Sequence, residues 1–144
     1  MIGIVVVTHG QLANELVTAA EMIVGEIPNV TAVSIGWHEN PDDAQREIEE
    51  AIHRVERGNG TVVLTDMFGG TPSRLSLTFL EKNRLEVVTG VNLPMLIKLV
   101  SLQEGEQVDL LEVARQACEQ GKENIYLASD LLAGKKRGTE DSLG

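Results

Sequence analysis

Ile2-Gly3-Ile4-Val5-Val6-Val7 is a continuous apolar, largely β-branched run that stops abruptly at Thr8-His9-Gly10. A run of this length and composition reads as a strand buried on both faces, as in a parallel sheet. Gly10 then releases the chain into a helical pattern that begins near Gln11. His9 is thereby placed at the carboxyl end of a central strand, where open α/β sheets bind their ligands.

Outward from that strand, helix and strand patterns alternate. Leu12, Leu16, Ala19, Ala20 and Ile23 recur at helical spacing, with Gly25 as the stop. Val30 to Ile35 alternates apolar and small polar residues and suits a strand nearer the sheet edge. Asn40-Pro41-Asp42-Asp43 is a helix start: an Asn cap, Pro at the first helical position, then two acids facing the dipole. Ala44, Ile48, Ala51, Ile52 and Val55 carry the apolar stripe of that helix.

Thr61 to Thr65 is the third strand and runs into Asp66-Met67-Phe68-Gly69-Gly70-Thr71-Pro72-Ser73. Thr71 is expected to cap a helix whose first residue is Pro72, well buried through Leu75, Leu77, Phe79 and Leu80. Leu85 to Thr89 is the fourth strand, ending in Gly90-Val91-Asn92-Leu93-Pro94. A short apolar helix follows over Pro94 to Leu102. Another is marked by Val108, Leu111, Ala114 and Cys118 and closed by Gly121. Asn124 to Ser129 alternates again and is expected to be a fifth strand. Residues 1–130 make one domain, and 131–144 are expected to be a flexible charged tail. The alternation predicts an α/β fold with a doubly wound, mostly parallel sheet of four strands. The ends of strands one, three and four then meet at one edge.

A chain of 144 residues with 42% hydrophobic and 24% charged residues has the composition of a globular domain. No apolar run approaches the roughly 20 residues that span a bilayer. The chain opens directly on a core strand, so no signal peptide is expected. The single cysteine, Cys118, excludes an internal disulfide and fits the cytoplasm. A net charge of −10 and 3% aromatics argue against a nucleic-acid partner.

An imidazole near neutral pH is a good nucleophile when one ring nitrogen is free. A carboxylate bonded to the other nitrogen fixes the tautomer and stabilises developing positive charge. Asp66, ending the neighbouring strand, is the candidate for that role. The Gly69-Gly70-Thr71-Pro72 turn supplies backbone N–H groups suited to an anion. Histidine, carboxylate and anion cradle together suit phosphoryl transfer. The glycine pair matches neither a dinucleotide fingerprint nor a P-loop, and no histidine or cysteine spacing completes a zinc site. On the residues alone, phosphoryl transfer and an unspecified ligand site stand level.

Residues 1–10, Asp66 to Pro72 and Gly90-Val91-Asn92-Leu93-Pro94-Met95-Leu96 resemble the IIA component of the mannose family of the bacterial sugar phosphotransferase system. The likeness runs from residue 1 to about Ser129, with the three motifs in order. It implies a histidine phosphotransferase: His9 accepts a phosphoryl group from the histidine phosphocarrier protein HPr and passes it to a IIB component for coupled sugar uptake. Asp66 matches the family's histidine-orienting carboxylate, so Nε2 is the expected nucleophile, with no metal or other cofactor. The resemblance also implies a homodimer in which the last strand, here Asn124 to Ser129, pairs antiparallel with the partner's sheet. Membrane association is expected only indirectly, through the transporter. Many fused relatives continue into a IIB domain and this sequence does not. That leaves the alternative of a regulatory phosphoprotein that transports no sugar.

Thr8, Gly69, Gly70, Thr71 and Ser73 are the expected phosphate-binding residues, with local capping as the other reading of Thr8 and Ser73. Met67, Phe68, Leu93, Pro94 and Met95 are expected to form an apolar docking rim around His9; the competing reading is dimer contact or core. Arg74 falls where relatives are expected to carry a neutral polar side chain, and either adds charge beside the phosphate or meets solvent. Trp37 is read equally as interface or loop packing. His38 and His53 are expected to be solvated.

Overall fold

The computed structural model describes residues 1–37, 39–105 and 109–134. In chain order the elements are β1 (Gly3–His9), α1 (Leu12–Val24), β2 (Val30–Ile35), α2 (Pro41–Val55), β3 (Thr61–Thr65), α3 (Thr71–Leu77), β4 (Leu85–Thr89), α4 (Leu93–Leu102), α5 (Leu110–Glu123) and α6 (Ala128–Leu132). The four strands form one parallel sheet in the order β2-β1-β3-β4.

Alternation of side chains along the strands explains why β1 is apolar throughout. Its even-numbered Ile4 and Val6 join Val62, Leu64 and Val88 in a core covered by α1, α4 and α5. Its odd-numbered Val5 and Val7 join Val63, Val33 and Ile35 beneath Ala44, Ile48, Ala51 and Val55 of α2. The chain passes from β1 outward to β2, then back across to β3 on the other side. The crevice between the carboxyl ends of β1 and β3 is thus the point at which strand order reverses, the place such sheets reserve for ligands.

Helix starts follow the expected chemistry at two places. Asn40 accepts a hydrogen bond from the Asp42 N–H at 2.8 Å, with Pro41 opening α2. Asn92 accepts from the Met95 N–H at 3.0 Å at the start of α4.

Four expectations need correction. Gly70, not Thr71, is the N-cap of α3, and no side chain caps it. The helix stops at Leu77, and Leu77 and Leu80 are exposed rather than buried, because so short a helix turns only one face to the sheet. Gly121 lies inside α5 rather than ending it. A β-carbon there would stand 2.8 Å from Met95 Cε and 3.1 Å from Asn92 Oδ1, so this glycine lets α5 pack against α4. Asn124 to Ser129 forms no strand in this chain's sheet: residues 125–127 are irregular and Ala128 starts α6. An alternating segment becomes a strand only where a sheet edge receives it, and within one chain the described sheet ends at β2 and β4. Helix α6 crosses the expected boundary at residue 130. Residues 135–144 of the expected tail, along with His38 and Val108, lie outside the described residues.

Candidate functional site

His9 is the last residue of β1, and Asp66 follows the last residue of β3. Val7 pairs with Thr65 in the parallel register, which brings the two strand ends side by side. His9 Nδ1 lies 2.8 Å from Asp66 Oδ2. The same oxygen accepts the His9 backbone N–H at 2.9 Å, while Oδ1 accepts the Met67 N–H at 2.9 Å. The carboxylate is thus fastened by main-chain donors before it orients the ring. Its side chain is 11% exposed, whereas that of His9 is 51% exposed.

Burial pushes the Asp66 carboxyl upward. The His9 backbone N–H, the His9 ring and the Met67 N–H together outweigh it and hold the group below its ordinary value of 3.8. The carboxylate therefore stays ionised. With Nδ1 facing it, Nδ1 carries the proton and Nε2 presents its lone pair.

Gly70 closes against the ring edge that carries Nε2. A β-carbon at Gly70 would lie 3.0 Å from His9 Cε1 and 3.5 Å from Nε2, so any other residue there would press the ring aside by a few tenths of an ångström. Gly69 has φ +90°, a conformation that other residues adopt only with strain. In the first turn of α3, the N–H groups of Thr71 and Ser73 have no acceptor within the helix. Thr71 is half-buried, and its Oγ1 lies 3.4 Å from Arg74 Nη2.

Other expected site residues fall elsewhere. Thr8 is fully buried, and its Oγ1 accepts the Ala13 N–H at 2.7 Å; it ties α1 to β1 and does not face the crevice. The Ser73 hydroxyl is also buried, which leaves only its backbone for an anion. Met67 and Phe68 are 62% and 77% exposed beside His9. Leu93 and Pro94 are half-buried, Leu93 packing against the α1/α4/α5 core. Met95, 3% exposed, belongs to that core and not to a docking rim. The even-numbered face of β1 and the inward face of α4 account for Thr8 and Met95, and neither orientation is written in a motif.

Trp37 is 92% exposed on the loop after β2, next to β1 at the same sheet edge as His9. His53 lies near the other end of α2, lining a cavity of about 410 Å³ with Glu49, Ile52, Phe79, Arg84 and Leu85. Sequence reasoning missed the second bond of Asp66, to the His9 main chain. It also missed the contact of Gly70 with the ring; a Gly-Gly pair directly after a strand-end acid was the available signal.

Among the described residues, no helix is long and apolar enough to cross a membrane. Residues 3–134 match the family model described as EIIA-man, PTS system fructose IIA component. The chain is 27% identical over 143 residues to the PTS system fructose-specific EIIA component of Bacillus subtilis (strain 168), covering 99% of this chain and 97% of that protein. It is 30% identical over 125 residues to the PTS system mannose-specific EIIAB component of Escherichia coli (strain K12), covering 86% of this chain. The match spans only 38% of that longer protein. The crystal structure of phosphotransferase system component EIIA from Streptococcus agalactiae superposes with a TM-score of 0.78 at 26% identity, covering 90% of this chain and 98% of that one.

Proposed function

The chain belongs to the EIIA-man family of PTS IIA components, and from that premise we propose that it is a phosphoryl carrier working through His9. Phospho-HPr donates the group and a IIB component receives it, for coupled sugar uptake and phosphorylation. The observation that carries this reading is the 2.8 Å contact between Nδ1 and an ionised Asp66, which leaves Nε2 free on a half-exposed ring.

The Nε2 lone pair attacks phosphorus as the donor's P–N bond breaks, and the donor imidazole leaves with the electron pair. Asp66 stabilises the positive charge that develops on the His9 ring. Gly69, Gly70 and the backbone N–H groups of Thr71 and Ser73 are assigned to the phosphoryl oxygens. Positioning and charge stabilisation supply most of the catalysis in such transfers. Phe68 and Met67 make the apolar contact that excludes water from the phosphohistidine while partners are docked.

The protein acts as a homodimer at the cytoplasmic face of a transporter. Ile125, Tyr126 and Leu127 are all exposed in the single chain, and β4 is an edge strand. Residues 124–129 added antiparallel to a partner's sheet would cover both. The regulatory alternative finds no support in the relatives, which are named as mannose- and fructose-specific components.

Incubation with phospho-HPr tests the assignment. We expect an acid-labile label on the wild type and none on His9→Ala, with the circular dichroism of the two unchanged. Label that survives in His9→Ala would remove His9 from the reaction.

A further inference from the structure

Arg74 is exposed on α3, one helical turn beyond Gly70. Its Nη2 reaches back to Thr71 Oγ1 at 3.4 Å, a long contact that tethers the guanidinium lightly. Thr71 adjoins Gly70, and Gly70 stands against the Cε1–Nε2 edge of His9. Among the described residues, Arg74 is the one cation hydrogen-bonded to the Gly69–Thr71 loop. A phosphoryl group on Nε2 brings roughly −1.5 to −2 charge near neutral pH. It arrives beside the Asp66 carboxylate in a chain of net charge −10. That field opposes the phosphorylated form unless a cation meets it, and a planar guanidinium meets phosphate oxygens in a bidentate fork.

We infer that Arg74 is a phosphate-binding residue of the relay: its guanidinium leaves Thr71 Oγ1 and pairs with the free oxygens of the phosphoryl group on His9. The inference rests on the carrier function proposed above. No bond is made or broken in the pairing itself; it stabilises the product of the transfer.

Two measurements on wild type, Arg74→Gln and Arg74→Lys test it. The first is the equilibrium of phosphoryl exchange with HPr, which depends on the free proteins and is blind to docking contacts. We expect Arg74→Gln to lower the phosphorylated fraction ratio about three- to tenfold, with Arg74→Lys in between. The second is a phosphorus NMR titration after labelling with potassium phosphoramidate, a donor that needs no docking surface. The phosphoryl pKa should be higher in Arg74→Gln than in wild type. A variant with wild-type equilibrium and pKa overturns the inference, including one that is merely slower with HPr, since Arg74 is then a docking contact. Wild type that takes no His9-dependent label overturns the carrier function, and this inference with it.

Discussion

Asp66 spends both carboxylate oxygens on N–H donors: Oδ2 on the His9 backbone and ring, Oδ1 on Met67. An asparagine offers a single oxygen and would turn its amide hydrogens toward one of those donors. Asp66→Asn is therefore expected to slow phosphoryl transfer and also to lower stability by about 1–3 kcal/mol. Chemical denaturation beside a transfer assay checks both halves; a variant of full stability would show that the backbone bonds matter less than their geometry suggests. The sign of the acid dependence follows from the lowered carboxyl. Stability from Asp66 is present above the ordinary carboxylate value and is lost as pH falls through the depressed one, so the variant should lose less on the acid side. At this scale the meeting of His9 and Asp66 was legible, because each stands at the carboxyl end of a recognisable strand. For Thr8, Ser73 and Met95 the sequence left two readings open, and all three side chains are buried, because which way a side chain turns depends on the layer packed above it.

Glycines show how elements fit. Gly3 sits where a β-carbon would be 2.6 Å from the Val55 carbonyl oxygen, a backbone atom that cannot step aside. At Gly121 the nearest atom is the far end of Met95, but Asn92 Oδ1 at 3.1 Å is held by the α4 cap. Alanine there gains about 1 kcal/mol of helix propensity and disturbs the Asn92 link to both helices. The expected order in thermal unfolding is wild type, then Gly121→Ala, then Gly3→Ala, the last lower by about 3 kcal/mol or more. A Gly121→Ala chain more stable than wild type would mean that Asn92 yields freely. The strand and helix periods of β1 to β4 were readable from residue spacing alone. Gly121 was not, because a helix-ending glycine and a close-packing glycine look the same until the neighbouring helix is in place.

Charge is distributed across the molecule as a surplus of carboxylates, and one of them responds near neutrality. Glu47 is pushed from 4.5 to about 7 by its hydrogen bond with Glu39, by burial, and by the charges of Glu39, Glu50 and Asp43. The folded chain therefore holds a proton that the unfolded chain has already lost between those two values. Stability from this group is full below 4.5 and drains away as pH rises to about 7. Unfolding of Glu47→Gln followed across that range should show a flatter profile than wild type, and parallel profiles would exclude the pair as its source. The doubly wound architecture was legible as a whole because alternating periods leave few topologies open. The placement of 124–129 was not, since alternation alone does not say whether a sheet edge is there to receive the segment. The bond from the His9 main chain to Asp66 joins residues 57 apart in sequence. In the carrier function proposed above, a half-melted molecule that lacks that clasp offers phospho-HPr no fixed ring to meet, so labelling by HPr is expected to fall in step with the folded fraction.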